Sequence, residues 1–415
     1  MYTKIKKCRI CGNQNLELVV DLGNQVLTGI FPKTKDEKIT SGPLRLVKCS
    51  GSGDICGLLQ LEHSYDLEEM YGENYGYRSG LNESMVLHLR NKIKKIVSKI
   101  PITDGDLIID IGSNDSTTLQ AYTNPNLLLV GVDPTGLKFK EYYPDHISLI
   151  PDFFSSDLIK NNFPGKKAKV VTSFSMFYDL EEPVKFVQEI FDIIDTQGIW
   201  VFEQSYMPTM LEKNSYDTIC HEHLEFYSLQ QIKWMADKVG FKIIDVELNE
   251  INGGSFSITV AKKESQYVPN SNVQQILDNE KSKNLDHIET YLNFANSITE
   301  SRIDLINFIE QAKKEGKKIA AIGASTKGNV ILQYCGLNQN SIYNIGEVNK
   351  DKFGSYTPGT LIPIIFEDEL LATNPDYLIV LPWHFRKFFL SNKKFENLNL
   401  VFPLPKLEIV NIKTN

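Results

Sequence analysis

The amino-acid sequence predicts an α/β protein in which a small cysteine-bearing module precedes two β/α domains. Short apolar runs alternate with stretches of helical spacing over residues 105–262, and the same alternation returns at residue 317. Such alternation is typical of a doubly wound, parallel sheet. Four of the six cysteines lie within the first 60 residues, apart from both β/α regions. We therefore predict two Rossmann-like domains behind a separate N-terminal module.

The predicted domain boundaries follow the changes in pattern along the chain. Residues 1–64 form the cysteine module, 65–104 a helical connector and 105–262 the first Rossmann-like domain. Residues 263–316 predict a linker that runs into a long helix, and 317–415 form the second Rossmann-like domain. The strands predicted in the first domain are 107–111, 127–131, 170–173, 199–202, 241–246 and 256–261.

Composition and charge exclude several classes of partner. The net charge is −8 and no basic stripe is present, so neither nucleic acid nor an anionic membrane is an expected partner. No apolar run is long enough to span a bilayer, and the N-terminus lacks the apolar region of a secretory signal. Six cysteines in 415 residues form no disulfide framework, which favours a reduced, cytoplasmic setting. We expect a monomer.

The N-terminal cysteines have the pattern of a metal site. Cys8 and Cys11 form a C-x-x-C pair, and Cys49 and Cys56 follow about forty residues later. Four thiolates suit tetrahedral zinc and leave no open position for water, so the predicted zinc is structural. The second pair is separated by six residues instead of two, although its glycines can let the loop fold back. Buried or redox-active cysteines are the alternative.

A polar loop, Asp110-Ile-Gly112-Ser-Asn114-Asp115, follows the first strand of the first β/α domain. Glycine permits close approach of a ligand to the backbone here, and we expect the loop to open a helix. Asp133 ends the next strand, and an acid about 20 residues beyond a glycine loop can accept both hydroxyls of a ribose. An ordinary β/α turn is the alternative.

The same loop lacks the second and third glycines of dinucleotide-binding proteins, because Asn114 and Thr117 occupy their positions. A cofactor with no phosphate beside the loop fits better. S-adenosylmethionine is such a cofactor, and its charged amino-acid end can pair with a carboxylate. Asp152 follows the third strand position and is a candidate for the adenine amine. The predicted cofactor-binding residues are Asp110, Gly112, Asn114, Asp115, Asp133 and Asp152.

A second cluster, Cys220-His221-Glu222-His223, carries the residue types of base chemistry. The two histidines are too close in sequence to share one helix face, as the zinc ligands of H-E-x-x-H proteases do. A histidine polarised by a carboxylate is a common general base. The alternative is a histidine-rich loop that only caps or packs.

The order of motifs resembles the sugar C-methyltransferase family of deoxysugar biosynthesis, from Cys8 to Trp383-His384. The family joins a small zinc domain, a Rossmann-like methyltransferase domain and a Rossmann-like C-terminal domain, and it methylates a carbon of a nucleotide-linked 4-keto sugar. The motifs are Cys8-x-x-Cys11, Cys56-Gly-Leu-Leu-Gln60, Tyr75-Gly-Tyr77-Arg-Ser79 with Asn82, the Asp110–Asp115 loop, Cys220-His-Glu-His-Leu224 and Asn252-Gly-Gly-Ser255.

The resemblance implies roles for the second cluster. His223 would remove a proton next to the ketone, and Glu222 would assist or bind the sugar. Tyr77 would line the sugar pocket. Either Tyr77 or His221 could donate to the enolate oxygen, because an oxyanion needs fixed donors aimed at it.

Two pocket positions depart from the family pattern. Cys220 stands where described members have tyrosine, and Tyr178 stands where they have histidine. We therefore expect a different substrate from the amino-keto sugars of antibiotic pathways. Tyr178, Cys220 and Asn252 are predicted substrate contacts. Two alternatives stay open: methylation of a sugar oxygen, and a zinc-bearing binding protein that has lost catalysis.

The second β/α domain carries a further loop, Gly323-Ala-Ser-Thr-Lys327-Gly-Asn329, between a strand and a helical stretch. Glycines, hydroxyls and a lysine there suit a phosphate at a helix N-terminus. We predict that Lys327 and Asn329 bind the diphosphate of a sugar nucleotide, and that Glu347, at the end of the next strand, binds its ribose. The alternative is a tight turn that serves packing alone.

Overall fold

The computed structural model describes residues 2–66, 70 and 78–412 and arranges their strands in four sheets. In the N-terminal module, β1 and β5 form a two-stranded antiparallel sheet, and β2, β3 and β4 pair antiparallel in a second sheet. The strands are β1 (Tyr2–Lys4), β2 (Leu16–Val26), β3 (Ser41–Cys49), β4 (Leu59–Leu61) and β5 (His63–Tyr65).

A seven-stranded sheet forms the central domain, and every strand predicted there is present. Its strands are β6 (Leu107–Ile111), β7 (Leu128–Val132), β8 (Ile147–Ile150), β9 (Ala168–Phe174), β10 (Ile194–Ser205), β12 (Phe241–Asn249) and β13 (Ser255–Lys262). Their order is β12-β13-β10-β9-β6-β7-β8. The expectation of a wholly parallel sheet was wrong, because β13 runs antiparallel to both neighbours. Only five residues separate β12 from β13, and so short a connection permits antiparallel pairing alone.

Helices cover both faces of the central sheet. Ile93 and Ile96 of α1 pack against one face, and Ile190 and Ile232, from α3 and α5, pack against the other. Helix α5 begins at a capping box formed by Ser228 and Gln231. The helices are α1 (Glu83–Lys99), α2 (Ser156–Asn162), α3 (Pro183–Ile193), α4 (Met207–Glu212) and α5 (Leu229–Val239).

One short strand of the central segment leaves its own sheet. Strand β11 (Glu225–Phe226) pairs with β4, with Glu225 opposite Gln60 and Phe226 opposite Leu59. The N-terminal sheet therefore has the order β11-β4-β3-β2. This pairing ties the segment that directly follows the His223 cluster to the cysteine module.

The C-terminal domain is a six-stranded sheet of order β16-β15-β14-β17-β18-β19, with only β19 antiparallel. The long helix predicted before it is present as α7, and the predicted linker contains a further helix, α6. The elements are α6 (Ser271–Ser282), α7 (Ile288–Lys314), β14 (Ile319–Ile322), α8 (Thr326–Tyr334), β15 (Ile345–Glu347), β16 (Ile364–Phe366), α9 (Glu367–Ala372), β17 (Tyr377–Val380), α10 (Arg386–Ser391), β18 (Asn399–Phe402) and β19 (Glu408–Asn411).

A single apolar cluster joins the two ends of the chain. Leu44 and Leu46 of the N-terminal sheet, Phe294 of α7 and Ile322 of β14 all belong to it. The turn at residues 216–220 contributes Tyr216 and Ile219. The cysteine module and the C-terminal domain are thus packed together around the segment that leads to His223. Among the described residues, no helix combines the length and apolarity needed to cross a membrane.

Candidate active site

The four N-terminal cysteines converge on one point. Their sulfur atoms all lie within 4.8 Å of one another; the Sγ atoms of Cys8 and Cys56 are 3.4 Å apart, and those of Cys11 and Cys49 are 3.5 Å apart. Zinc–sulfur bonds of about 2.3 Å in a tetrahedron place the sulfurs roughly 3.8 Å apart, so this set fits a zinc ion. The set supplies four thiolates and no open position, which makes the zinc structural.

Glycines allow the widely spaced second cysteine pair to close, as predicted. Gly51 and Gly53 have φ values of 131° and 93°, a region that side chains with a Cβ rarely adopt. The side-chain amide of Asn13 donates to the Cys49 sulfur at 3.3 Å. A donor of this kind orients a thiolate ligand from outside the metal shell.

The loop after β6 is organised around Asp133 at the end of β7. One carboxylate oxygen accepts the Asn114 amide at 2.7 Å, and the other accepts the amide and hydroxyl of Thr135, each at 2.7 Å. The expected α-helix after this loop is absent, and only a short 3-10 helix follows at Leu119–Ala121. Residues 114–118 form turns, because Asn114 and Ser116 take φ values of 49° and 62° that interrupt a helix.

The other predicted cofactor residues differ in their surroundings. Asp110 is buried and accepts the Thr172 hydroxyl at 2.5 Å, and burial raises the pKa of its carboxyl to about 7. Asp152 is exposed, and its side chain accepts the amide of Phe153. Gly112 has a φ of 73°, and a Cβ there would lie 3.1 Å from Met176. The loop therefore presents a glycine backbone and an oriented carboxylate, which fit a cationic nucleoside better than a phosphate.

Asn114 and Asp115 hold the segment before α1 against this loop. The Asn114 side-chain oxygen accepts the Ser79 amide at 3.0 Å, and the Asp115 carboxylate accepts the Gly80 amide at 2.8 Å. Arg78, which sequence analysis did not single out, lies 3.9 Å from Asp115 with its guanidinium over the Tyr142 ring. It could hold the carboxylate of an amino-acid cofactor. Tyr77 lies outside the described residues.

The His223 imidazole has the protonation state of a base. Its Nδ1 lies 2.8 Å from the Thr218 carbonyl, and because a carbonyl only accepts, Nδ1 carries the proton and Nε2 keeps its lone pair. Desolvation lowers the pKa of His223 to about 4, and the Lys327 charge acts in the same direction. The Tyr178 ring packs edge-on against the imidazole, with 4.4 Å between centroids. His223 is therefore neutral at physiological pH.

Glu222 lies at the junction of the three domains. A Cβ at Gly29 of the N-terminal module would lie 2.8 Å from its Oε1 and 4.0 Å from the Thr326 hydroxyl of the C-terminal domain. Burial raises the pKa of the Glu222 carboxyl, against the opposing effect of hydrogen bonds from Cys220 and Thr28. Its Oε2 has no hydrogen-bond partner among the described residues. Gly29 is thus a position where only glycine leaves room for the glutamate.

His221 points into a different environment from His223. It is fully buried and packs edge-on against Tyr65 of the N-terminal module, with 4.6 Å between ring centroids. Burial lowers its pKa to about 4, against the opposing effect of hydrogen bonds to the backbone at Gly42 and Gln25. Its predicted role as a donor to the enolate oxygen stays a prediction.

The first turn of α8 brings the C-terminal domain to the same place. The Lys327 ammonium donates to the Asn252 carbonyl at 2.7 Å, and the Asn329 amide donates to the Thr28 carbonyl at 2.8 Å. The Ser325 hydroxyl caps the helix by accepting the Gly328 amide. In the loop predicted to hold a diphosphate, the Gly328 amide is therefore already bonded to a side chain of the protein.

Glu347 takes part in a separate turn. One carboxylate oxygen accepts the amides of Val348 and Asn349, at 2.7 and 2.9 Å. Lys352 lies nearby and donates to the Ala324 carbonyl at 2.7 Å. The predicted contact of Glu347 with a ribose stays a prediction.

Sequence analysis missed several residues of this junction. Asp217 is buried and accepts the Trp383 indole N–H at 2.9 Å, which links the turn before Cys220 to the C-terminal domain. His384 lies beside Gly253, and burial lowers its pKa to about 3. The sequence does mark His384, as a packed loop residue with substrate contact as the alternative, whereas Asp217 was missed although it stands in a segment rich in functional side chains. Nothing in the local sequence marks Thr28 and Gly29.

Comparison with known proteins agrees with this three-part organisation. A zinc binding domain model matches residues 8–71, a methyltransferase domain model matches 85–246, and a C-methyltransferase C-terminal domain model matches 250–405. The C-methyltransferase NovU of Streptomyces niveus is 26% identical over 416 residues, covering 99% of this chain and 98% of that protein.

Solved structures show more distant similarity. A methyltransferase structure from Bacillus halodurans C-125 gives a TM-score of 0.32 at 11% identity, covering 42% of this chain and 99% of that one. The CurJ carbon methyltransferase gives a TM-score of 0.34 at 14% identity, covering 47% of this chain and 58% of that one.

Proposed function

We propose that this S-adenosylmethionine-dependent methyltransferase methylates a carbon of a nucleotide-linked 4-keto sugar. Its three regions match models of a zinc binding domain, a methyltransferase domain and a C-methyltransferase C-terminal domain. The neutral His223 carries the proposal. Its Nδ1 proton is donated to the Thr218 carbonyl, so Nε2 keeps its lone pair, and the side chain is partly exposed. A base could also serve methylation of a hydroxyl, but that reaction forms no enolate, so proton exchange beside the ketone separates the two reactions.

The proposed reaction begins with proton removal. His223 Nε2 takes the proton next to the ketone, the C–H electron pair becomes the new C=C bond, and the carbonyl π pair moves onto oxygen. Bound S-adenosylmethionine supplies a methyl group on a sulfonium. The enolate carbon attacks that methyl, the S–C bond pair stays on sulfur, the ketone re-forms, and protonated His223 returns its proton to water.

Several residues of the junction are suited to bind the sugar. Glu222 offers an unpaired oxygen, and Tyr178 and Cys220 lie against His223 and Glu222 respectively. The loop that contains Asn252 is tied to the C-terminal domain by the hydrogen bond from Lys327 to the Asn252 carbonyl. On the cofactor side we assign Asp133 to the ribose hydroxyls, Gly112 to close approach of the cofactor, and Arg78 to the amino-acid carboxylate.

The test is solvent exchange in heavy water. Wild-type protein and His223→Asn are incubated with S-adenosylhomocysteine and a nucleoside-diphosphate 4-keto-6-deoxyhexose, and loss of the proton beside the ketone is followed by NMR. We expect the wild type to exchange that proton. His223→Asn should lose exchange and methyl transfer while calorimetry shows unchanged S-adenosylmethionine binding. Methyl transfer by the wild type without exchange would remove the enolate mechanism, and NMR of the product would then identify the methylated atom.

A further inference from the structure

Lys327 lies in the first turn of α8, a helix of the C-terminal domain that packs against the segment leading to His223. We propose that its ammonium is a catalytic group, which stabilises the negative charge on the carbonyl oxygen when His223 removes the neighbouring proton. This inference rests on the proposed function. It replaces the sequence-based assignment of Lys327 to a diphosphate.

The position of Lys327 follows from the packing of α8. Tyr334 at the end of this helix packs against Tyr216, with 5.6 Å between ring centroids, and Tyr216 begins the turn that leads to Cys220 and His223. At the other end of α8, Thr326 lies beside Gly29 and so close to Glu222. The ammonium itself is anchored 2.7 Å from the Asn252 carbonyl. The helix is thus held at both ends against the catalytic segment.

The ammonium has donors to spare. Lysine carries three N–H donors, and Lys327 uses one of them, for Asn252, within the described part of the chain. No carboxylate oxygen of the described residues forms an ion pair with it, although the buried Asp217 attracts it electrostatically. Lys327 is only partly exposed, so two of its donors are available to an oxygen ligand from outside the chain.

A substrate oxygen that becomes anionic beside His223 fits both the position of α8 and the unused N–H donors of Lys327. Desolvation lowers the pKa of the Lys327 ammonium, and the Lys327 charge lowers the pKa values of His223 and His384. The same charge therefore keeps the base unprotonated and attracts the electron pair that the deprotonation places on oxygen. Fixed positive groups aimed at developing charge act most strongly in sites of this kind.

A competing explanation is that Lys327 only holds the loop at residues 250–254. The chain offers a matched control, because Lys213 donates to the Gly253 carbonyl of that loop at 2.9 Å. Lys213 also pairs with Glu250 at 3.0 Å, and its side chain is 34% exposed. Lys213→Gln therefore removes a cation that holds the same loop but is already paired with Glu250 and partly exposed to solvent.

The first experiment measures proton exchange in heavy water, in the presence of S-adenosylhomocysteine and the keto-sugar nucleotide used above. Lys327→Gln should slow exchange about 100-fold, the order of losing one oxyanion donor, with cofactor affinity unchanged. Lys327→Arg should recover part of the rate, and Lys213→Gln should stay within about twofold of wild type. Wild-type exchange in Lys327→Gln, or an equal loss in Lys213→Gln, would overturn the proposal.

The second experiment needs no substrate. An NMR titration of labelled histidine in the S-adenosylhomocysteine complex follows the pKa of His223, which faces Lys327, Tyr178, Cys220, Glu222 and the nearby Asp217 and His384. Lys327→Gln should raise that pKa from about 4 toward the ordinary 6.5, and Lys213→Gln should leave it unchanged. An unmoved His223 titration contradicts the proposed placement.

The two proposals fail in different ways. If wild-type protein methylates the sugar without exchanging its proton, the enolate function is wrong whatever Lys327 does. If wild-type protein exchanges the proton and Lys327→Gln does so equally fast, only the role of Lys327 is wrong.

Discussion

The two β/α domains place the same local pattern in two different settings. In each, a glycine-bearing loop follows the first strand and an acid ends the second: Asp133 in the central domain and Glu347 in the C-terminal domain. Asp133 reaches back to the loop and accepts the Asn114 amide. Glu347 instead accepts the amides of Val348 and Asn349, in its own turn.

The two glycine-bearing loops also differ, in backbone conformation and in the domain that they contact. The central loop takes positive φ at Gly112, Asn114 and Ser116. The C-terminal loop is capped by Ser325 and directs Lys327 toward Asn252 of another domain. A strand–glycine–acid pattern therefore predicts the turn but not its ligand. We propose that the central copy binds the cofactor and that the C-terminal copy directs Lys327 toward the substrate.

The largest effect should come from the zinc site, because the module contacts the loop of the C-terminal domain through Thr28 and Asn329. Cys8→Ser should release zinc, whose binding contributes about 10–16 kcal/mol to the folding of such modules, and should abolish methyl transfer. Calorimetry should show S-adenosylmethionine affinity reduced only a few-fold. Cys335→Ser, which alters a buried cysteine outside the cluster, should keep its zinc. An active Cys8→Ser protein without zinc would contradict the structural assignment.

The next test compares the two acids directly. Asp133→Ala removes hydrogen bonds to a charged group worth about 1.5–3 kcal/mol, so S-adenosylmethionine affinity should fall on the order of 10- to 100-fold. Glu347→Ala changes the corresponding residue of the C-terminal domain and should leave that affinity unchanged. Calorimetry measures the S-adenosylmethionine affinity of both variants. Equal losses of affinity would contradict the assignment of the cofactor to Asp133 of the central domain.

A smaller effect is expected at Gly29. The added methyl of Gly29→Ala would lie 2.8 Å from Glu222 Oε1 and must displace that carboxyl. We expect kcat/KM to fall on the order of tenfold, because small shifts of catalytic groups are costly. Cofactor affinity and melting temperature serve as controls and should change little. An unaltered kcat/KM would show that the position of Glu222 is unimportant to the reaction.

Local patterns predicted much of the molecule. The strands of the central domain and the long helix α7 follow from apolar spacing, and the cysteine spacing identified a set of sulfurs that meet in space. The resemblance singled out His223, and the Thr218 hydrogen bond then gave its tautomer a physical basis. These features depend on residues close in sequence or on residue types with few alternative roles.

Features set by distant contacts escaped prediction. The turns after Asp115 replace the expected helix because Asn114 and Ser116 adopt positive φ, which sequence spacing does not report. The direction of Lys327 depends on how α8 docks against the turn at Tyr216. Gly29 matters only because Glu222 arrives from nearly two hundred residues away along the chain.

Strand β11 has a consequence for how the protein acquires activity. It contains two residues, begins two positions after His223, and pairs with β4 of the N-terminal module. Its pairing closes a long chain loop, so the entropy of closure opposes it until the module and the central sheet have both formed. We expect the base to reach its position late in folding. Metal uptake by the module would then act as a checkpoint on catalytic competence.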